Sequence, residues 1–121
     1  MKYLRLYADQ DGESHVEETQ TEFNMNQYAP PAPEFGVSEA TDAARYVFVK
    51  FPAGWVSELH PTPRRQLFVM IAGHLVGYTS DGAVMDLKPG DVVLMEDTTG
   101  KGHTARAMDG AEVCAMMVHL E

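Results

Sequence analysis

The sequence predicts a single all-β domain, a barrel or sandwich of short antiparallel strands. Three observations carry this expectation. Apolar runs rich in β-branched and aromatic residues recur at residues 46–51 (YVFVKF), 67–72 (LFVMIA), 75–78, 92–95 (VVLM) and 113–120. Turn signals separate them: Pro52-Ala53-Gly54, Pro61-Thr62-Pro63, Ala72-Gly73, Ser80-Asp81-Gly82, Pro89-Gly90-Asp91 and Asp109-Gly110. No amphipathic stretch of ten or more residues lies between the strands, as a parallel α/β fold would require.

Taken in chain order, residues 15–23 (HVEETQTEF) read as a polar edge strand, and residues 28–36 (YAPPAPEFG) lack alternation. Pro31 and Pro33 have no amide donor, so that stretch is expected to cross the surface in extended form. Residues 38–45 are the one helical candidate, with Ser38 as its cap. The expected division is an N-terminal arm, residues 1–44, packing on a barrel of residues 45–121 within one structural domain. In the run 66–72, Gln66, Phe68, Met70 and Ala72 share one face, and Leu67, Val69 and Ile71 share the other. Both faces are apolar. One suits a barrel interior; the other calls for a second sheet layer, the N-terminal segment or a partner chain, which makes a homodimer one expectation.

Composition narrows the function classes. With 121 residues, 18 acidic and 9 basic side chains, the net charge is −9. The single adjacent basic pair, Arg64-Arg65, lies among prolines, so nucleic acid is excluded as a partner. Cys114 is the only cysteine, which rules out an internal disulfide framework and a multi-cysteine zinc site. No apolar run approaches the roughly 20 residues of a membrane span. The apolar stretch at the N-terminus is too short for a secretion signal. The expectation is a soluble cytoplasmic domain.

Of the five histidines, two have informative surroundings. His60 lies six residues after Gly54 and just before an apolar strand; His103 closes Gly100-Lys101-Gly102-His103 just after another. A closed barrel would bring them face to face. The run Thr98–His103 lacks the glycine and the Ser or Thr of a phosphate loop, having Met95 and Gly102 at those positions, and no helix follows. Glu96 and Asp97 end the strand nearest His103, and either could serve as a general base. His119 and Cys114 read as structural, and His74 as exposed.

At these residues the sequence resembles the cupin superfamily. Its first motif, Gly, five residues, His-x-His, Glu and a closing Gly, is matched in spacing by Gly54, His60-Pro61-Thr62, Gln66 and Gly73, with Thr62 in place of the second His and Gln66 in place of Glu. Its second motif is matched by Pro89-Gly90-Asp91, the strand 92–95 and Gly100-Lys101-Gly102-His103, without the motif's proline. The strings HPTPRRQ and EDTTGKGH look like those of small single-domain cupins. The resemblance implies a jelly-roll β-barrel whose pocket is lined by His60, Thr62, Gln66, Phe68 and His103.

The resemblance also implies a metal site. His60, His103 and the amide oxygen of Gln66 are the candidate ligands for Zn, Fe, Mn or Ni, and no organic cofactor is indicated. The competing reading pairs His60 with Gln66 by a hydrogen bond in the barrel mouth. Arg64 shares the pocket-facing side with Gln66 and could clamp a carboxylate; alternatively Arg64 and Arg65 lie in solvent, or pair with Glu58 or Asp91. His60, His103 and Arg64 are thus the candidate catalytic residues. Three functions fit: a small-molecule enzyme of isomerase, lyase or dioxygenase type acting on an acidic or oxygen-rich substrate, a non-catalytic small-ligand binding or sensing module, and a scaffold for dimerisation.

Overall fold

The computed structural model describes residues 1–121. It contains eleven strands and no helix: β1 (Lys2–Ala8), β2 (Ser14–Gln20), β3 (Asn24–Asn26), β4 (Phe35–Val37), β5 (Arg45–Phe51), β6 (Gln66–Ala72), β7 (Leu75–Thr79), β8 (Val84–Leu87), β9 (Val92–Met95), β10 (His103–Ala107) and β11 (Val113–His119). The expected apolar strands are all present within a residue or two, and the polar edge strand is β2, which ends at Gln20, three residues earlier than expected. The helical candidate at 38–45 is extended chain leading into β5, because its apolar spacing offers no face to bury. The stretch at 28–36 does not simply cross the surface: it is the tip and return of a β3–β4 hairpin, turned by an Ala32 N–H bond to the Ala29 carbonyl.

Two sheets face one another. The large one runs β2-β1-β9-β6-β11-β5, all antiparallel except β1 beside β9; the small one runs β10-β7-β8. They are two facing layers rather than a continuously hydrogen-bonded cylinder. Alternation decides what lies between them. Leu6, Phe68, Met70, Val93, Val113 and Ala115 come from the large sheet, and Leu75, Met85, Leu87 and Ala107 from the small one. Burying each of the larger side chains contributes about 1.5–3 kcal/mol.

The opposite residues of the large sheet point away from this core. Leu67 stands beside Leu94 and Val118, and Val69 beside Val92 and Met116, so the two-sided apolar pattern of β6 continues across three strands. The N-terminal segment does not cover that face. β1 and β2 extend the sheet sideways, and residues 22–36 are exposed throughout.

The two sheets are stitched at one end. His60 and His103 form an isolated antiparallel bridge, and Ser14 of β2 meets Ser80 after β7 through mutual hydrogen bonds. That end is where the candidate residues gather.

Candidate functional site

A cavity of about 420 Å³ opens between the sheets at the stitched end, a volume suited to a small organic molecule. Its lining is mostly apolar, with Phe51, Trp55, Phe68 and Leu75 among the walls. Six polar or charged side chains interrupt it: His60, Thr62, Arg64, Gln66, His103 and His119.

Backbone chemistry fixes the first pair. His60 N–H donates to the His103 carbonyl and His103 N–H to the His60 carbonyl, both at 3.0 Å. The approach needs a glycine just before His103. Gly102 has φ of 75°, and a Cβ there would run into the His60 carbonyl. Ser14, itself buried, secures the turn by donating its hydroxyl to the Gly102 carbonyl at 2.6 Å. The two imidazole centroids end 4.7 Å apart.

Hydrogen-bond accounting then assigns the ring nitrogens. Asp97 is fully buried; Thr62 donates its hydroxyl to Oδ1 at 2.6 Å, and His103 Nδ1 lies 2.6 Å from Oδ2. With Oδ1 accepting from Thr62, Oδ2 is the acceptor left for His103, so the ring hydrogen sits on Nδ1 and Nε2 has no partner in the chain. His60 Nδ1 lies 2.7 Å from the Glu58 carbonyl, another acceptor, so its Nε2 is free as well. Two basic Nε2 atoms therefore belong to neighbouring rings on one cavity wall.

The flanking charges divide by partner. Glu96 accepts from Arg5 and Arg65, each at 2.6 Å, tying β1 to the chain before β6. Burial raises the Glu96 carboxyl, but these two arginines outweigh it and hold it below the usual carboxylate range. Glu96 is thus not a free base, and Arg65 is not in solvent or bonded to Glu58 or Asp91. Arg64 lines the cavity and has no ion-pair partner in the chain. Gln66 does not bond His60: its amide nitrogen reaches the sulfurs of Met95 and Met117, at 3.8 and 3.5 Å, and thioethers are weak acceptors.

Sequence reasoning gave Asp97 and His119 other roles, a general base and a structural histidine, and passed over Trp55. Asp97 anchors His103 from within, and the signal is a carboxylate six residues before the histidine together with a hydroxyl at Thr62. His119 lines the cavity opposite Gln66 in register, which the alternation Val113, Ala115, Met117, His119 encodes. Burial and the fields of Arg64 and Arg45 push its pKa down, and its Nδ1 finds no partner in the chain. Trp55 packs at a tilt against Phe51, ring centroids 4.6 Å apart, and walls the cavity. His74 is not free on the surface but half-buried between Asp86 and Asp109.

The donor set for a metal was tested against this geometry. A catalytic zinc-type site takes three protein ligands, whereas no three His, Cys, Asp or Glu side chains converge here. The Asp97 carboxylate lies behind His103, committed to Nδ1 and to Thr62. Beside the His60 and His103 imidazoles the third candidate donor is the neutral amide oxygen of Gln66, a weaker ligand for a divalent ion than a third imidazole or a carboxylate.

The sequence matches no family model and no curated protein. Solved structures do resemble it. One is an RmlC-like cupin protein from Desulfovibrio desulfuricans, at 14% identity and TM-score 0.44, covering 97% of this chain and 81% of that one. Another is the Cnp3 cupin domain of Schizosaccharomyces pombe, at 12% identity and TM-score 0.48, covering 100% and 83%. A protein from Neisseria meningitidis aligns at 14% identity and TM-score 0.45, over 63% and 72%. This is an all-β chain, and the solved structures similar to it include a cupin protein and a cupin domain.

Proposed function

We propose that the chain binds a small acidic or oxygen-rich molecule between its sheets and moves a proton on it. The observation that carries this reading is the buried Thr62–Asp97–His103 chain. It orients one imidazole, fixes its tautomer and presents Nε2 to an apolar cavity, as a general base requires. Arg64 supplies the anion contact through a guanidinium with no competing carboxylate. A carboxylate held there would place its neighbouring carbon near the two imidazoles. His103 Nε2 takes the proton from that carbon, and the resulting His103 imidazolium returns it to the same or the adjacent carbon. Such chemistry is of isomerase or lyase type. The unpartnered Nδ1 of His119 adds a polar atom for the ligand to meet.

A second reading, a binding or sensing module without turnover, is favoured by Gln66, whose amide nitrogen is spent on sulfur. Both readings are tested by incubating the protein in D2O with a panel of small 2-keto and 2-hydroxy acids. Ligand-observed NMR reports binding, and loss of the C2 proton signal of a hydroxy acid or the C3 proton signal of a keto acid reports turnover. The proposal expects binding that weakens in Arg64→Ala, and deuterium incorporation that disappears in His103→Ala but persists in His15→Ala. Binding without exchange would select the sensing module. If no acid binds, or if binding ignores both cavity substitutions, the small-acid reading fails. If exchange appears only after Fe, Mn, Ni or Zn is added, the metal-free mechanism fails.

A further inference from the structure

Strand register orders the cavity from its mouth to its floor. In the large sheet Met95, Gln66 and His119 stand side by side at the open end, and Val93, Phe68 and Met117 form the next level inward. In the small sheet His103 holds the outer level, Ala105, Gly77 and Met85 the second, and Ala107, Leu75 and Leu87 the third. Residues 55–60 run beside β10. His60 bridges His103, and the Trp55 carbonyl accepts from the Ala107 N–H at 2.9 Å, which sets Trp55 at the third level. All six polar lining side chains therefore belong to the outer level or to the chain from His60 to Gln66 that edges it. Beneath them the walls are apolar, and Ala107 lies about 13 Å of strand below His103.

We infer that the molecule this cavity takes is an aryl acid, an aromatic ring joined to its carboxylate by a short carbon chain; the inference rests on the acid-binding reading above. Arg64 and the two imidazoles hold the acid head at the outer level, and the ring lies beneath, among Trp55, Phe68 and Met85. Volume is the first observation that selects a ring. At about 30 Å³ for each water-sized group, the cavity of about 420 Å³ takes roughly fourteen non-hydrogen atoms. A three-carbon acid would fill less than half of it and leave water against walls that offer no hydrogen bond. Wall chemistry is the second. Phe51, Trp55 and Phe68 form a run of rings with centroids 4.6 and 6.3 Å apart, the spacing at which aromatic groups attract. The thioethers of Met85, Met95 and Met117 line the same space, and sulfur favours contact with a ring while its flexible chain adapts to the shape. Gly77 is the third. Its φ is not positive, so the backbone does not require glycine there. A Cβ would come within 2.8 Å of Met85 Cε. The Met85 side chain thus occupies the place of a side chain at 77, and the second level stays open.

Trp55 is the only tryptophan, so its fluorescence reports on this cavity alone. Lactate, phenyllactate and the neutral 2-phenylethanol are titrated into the full chain, with affinities read by ligand-observed NMR and the ring located by Trp55 emission. Phenyllactate is expected to bind at least about tenfold tighter than lactate and to shift Trp55 emission. Gly77→Val drives Met85 into the second level; it is expected to bring phenyllactate down to the affinity of lactate while lactate binding holds. Equal affinities for the two acids in the wild type overturn the inference and leave the acid reading standing. Phenyllactate binding that leaves Trp55 emission unmoved does the same, as does a folded Gly77→Val chain that keeps the full advantage of the ring. Binding of 2-phenylethanol where neither acid binds overturns the acid reading, and the inference with it. Should far-UV circular dichroism show Gly77→Val unfolded, the wild-type affinity ratio and the Trp55 response decide.

Discussion

His103 and His15 each face an aspartate at 2.6 Å, yet the two pairs do different things. The side chains of His103 and Asp97 are 7% and 0% exposed; those of His15 and Asp9 are 31% and 34% exposed. Asp97 spends both oxygens on protein donors, and its only route to the cavity runs through the His103 ring. His15 is bracketed by Asp9 and Asp81 at the rim, where water screens the charges and stands ready to replace either partner. His74, between Asp86 and Asp109, repeats the rim arrangement. Partner identity is therefore a poor guide to role. Burial decides whether a His–Asp pair orients a base or decorates a surface.

The widest separation between the two environments should come from removing the carboxylate. Asp97→Ala leaves the Thr62 hydroxyl and the His103 N–H buried without partners, and should cost about 3–5 kcal/mol in urea unfolding. The same change at Asp9 should leave the urea midpoint nearly unmoved. Equal losses at the two sites would dissolve the distinction.

A smaller effect is expected from the backbone that holds the buried pair in place. Gly102 and Gly82 both have positive φ, but a Cβ at Gly82 meets nothing within 4 Å, whereas at Gly102 it meets the His60 carbonyl. Gly82→Ala should cost about 1–2 kcal/mol of conformational strain. Gly102→Ala should cost about 2–4 kcal/mol and should separate the His60 and His103 rings as well. A loss at Gly102 no larger than at Gly82 would contradict the close approach.

The smallest effect belongs to the rim pairs and is read in pH. Hydrogen bonds to Asp9 and Asp86 raise the pKa values of His15 and His74, and Asp81 and Asp109 add to the effect. Their contribution to stability is therefore full below about pH 6.5 and fades as pH rises through the raised values. Asp9 and Asp86 are lowered by the same histidines, and Asp81 chiefly by Thr79, so their contribution fades on acidification below about pH 4. His119 acts in the opposite sense. Its depressed pKa means that the folded state gives up protons which the unfolded state keeps, so its contribution grows with pH up to about 6.5. Melting temperature followed against pH should show a shallow decline above pH 6.5 that vanishes in the His15→Ala/His74→Ala double variant and shrinks in high salt.

The sequence makes visible what is local. The runs 46–51, 66–72 and 92–95 announce strands because β-branched and aromatic residues crowd them, although 46–51 is mostly exposed, and Pro89-Gly90-Asp91 marks its own turn. The spacing of His60, Gln66 and His103 places them at one cavity. What escapes is set by distant partners. β1 is a strand because it lies parallel to β9, far along the chain. Asp97 is buried because Thr62, 35 residues earlier, donates to it. The β3–β4 hairpin has no alternation to announce it, since no layer of its own chain packs on it. Arg65 and Glu96 could not be matched in advance, because Arg5 of β1 competes for the same carboxylate.

The central claim is that Asp97 holds His103 with its hydrogen on Nδ1 and a free Nε2 facing the cavity. Long-range ¹H–¹⁵N correlation spectra of the imidazoles, recorded at about pH 8 where neutral rings predominate, test it most directly. The prediction is a protonated Nδ1 and an unprotonated Nε2 for both His103 and His60, with the tautomer of His103 redistributing in Asp97→Ala while that of His60 holds. A His103 ring protonated on Nε2 in the wild type would contradict the assignment and remove the base from the cavity.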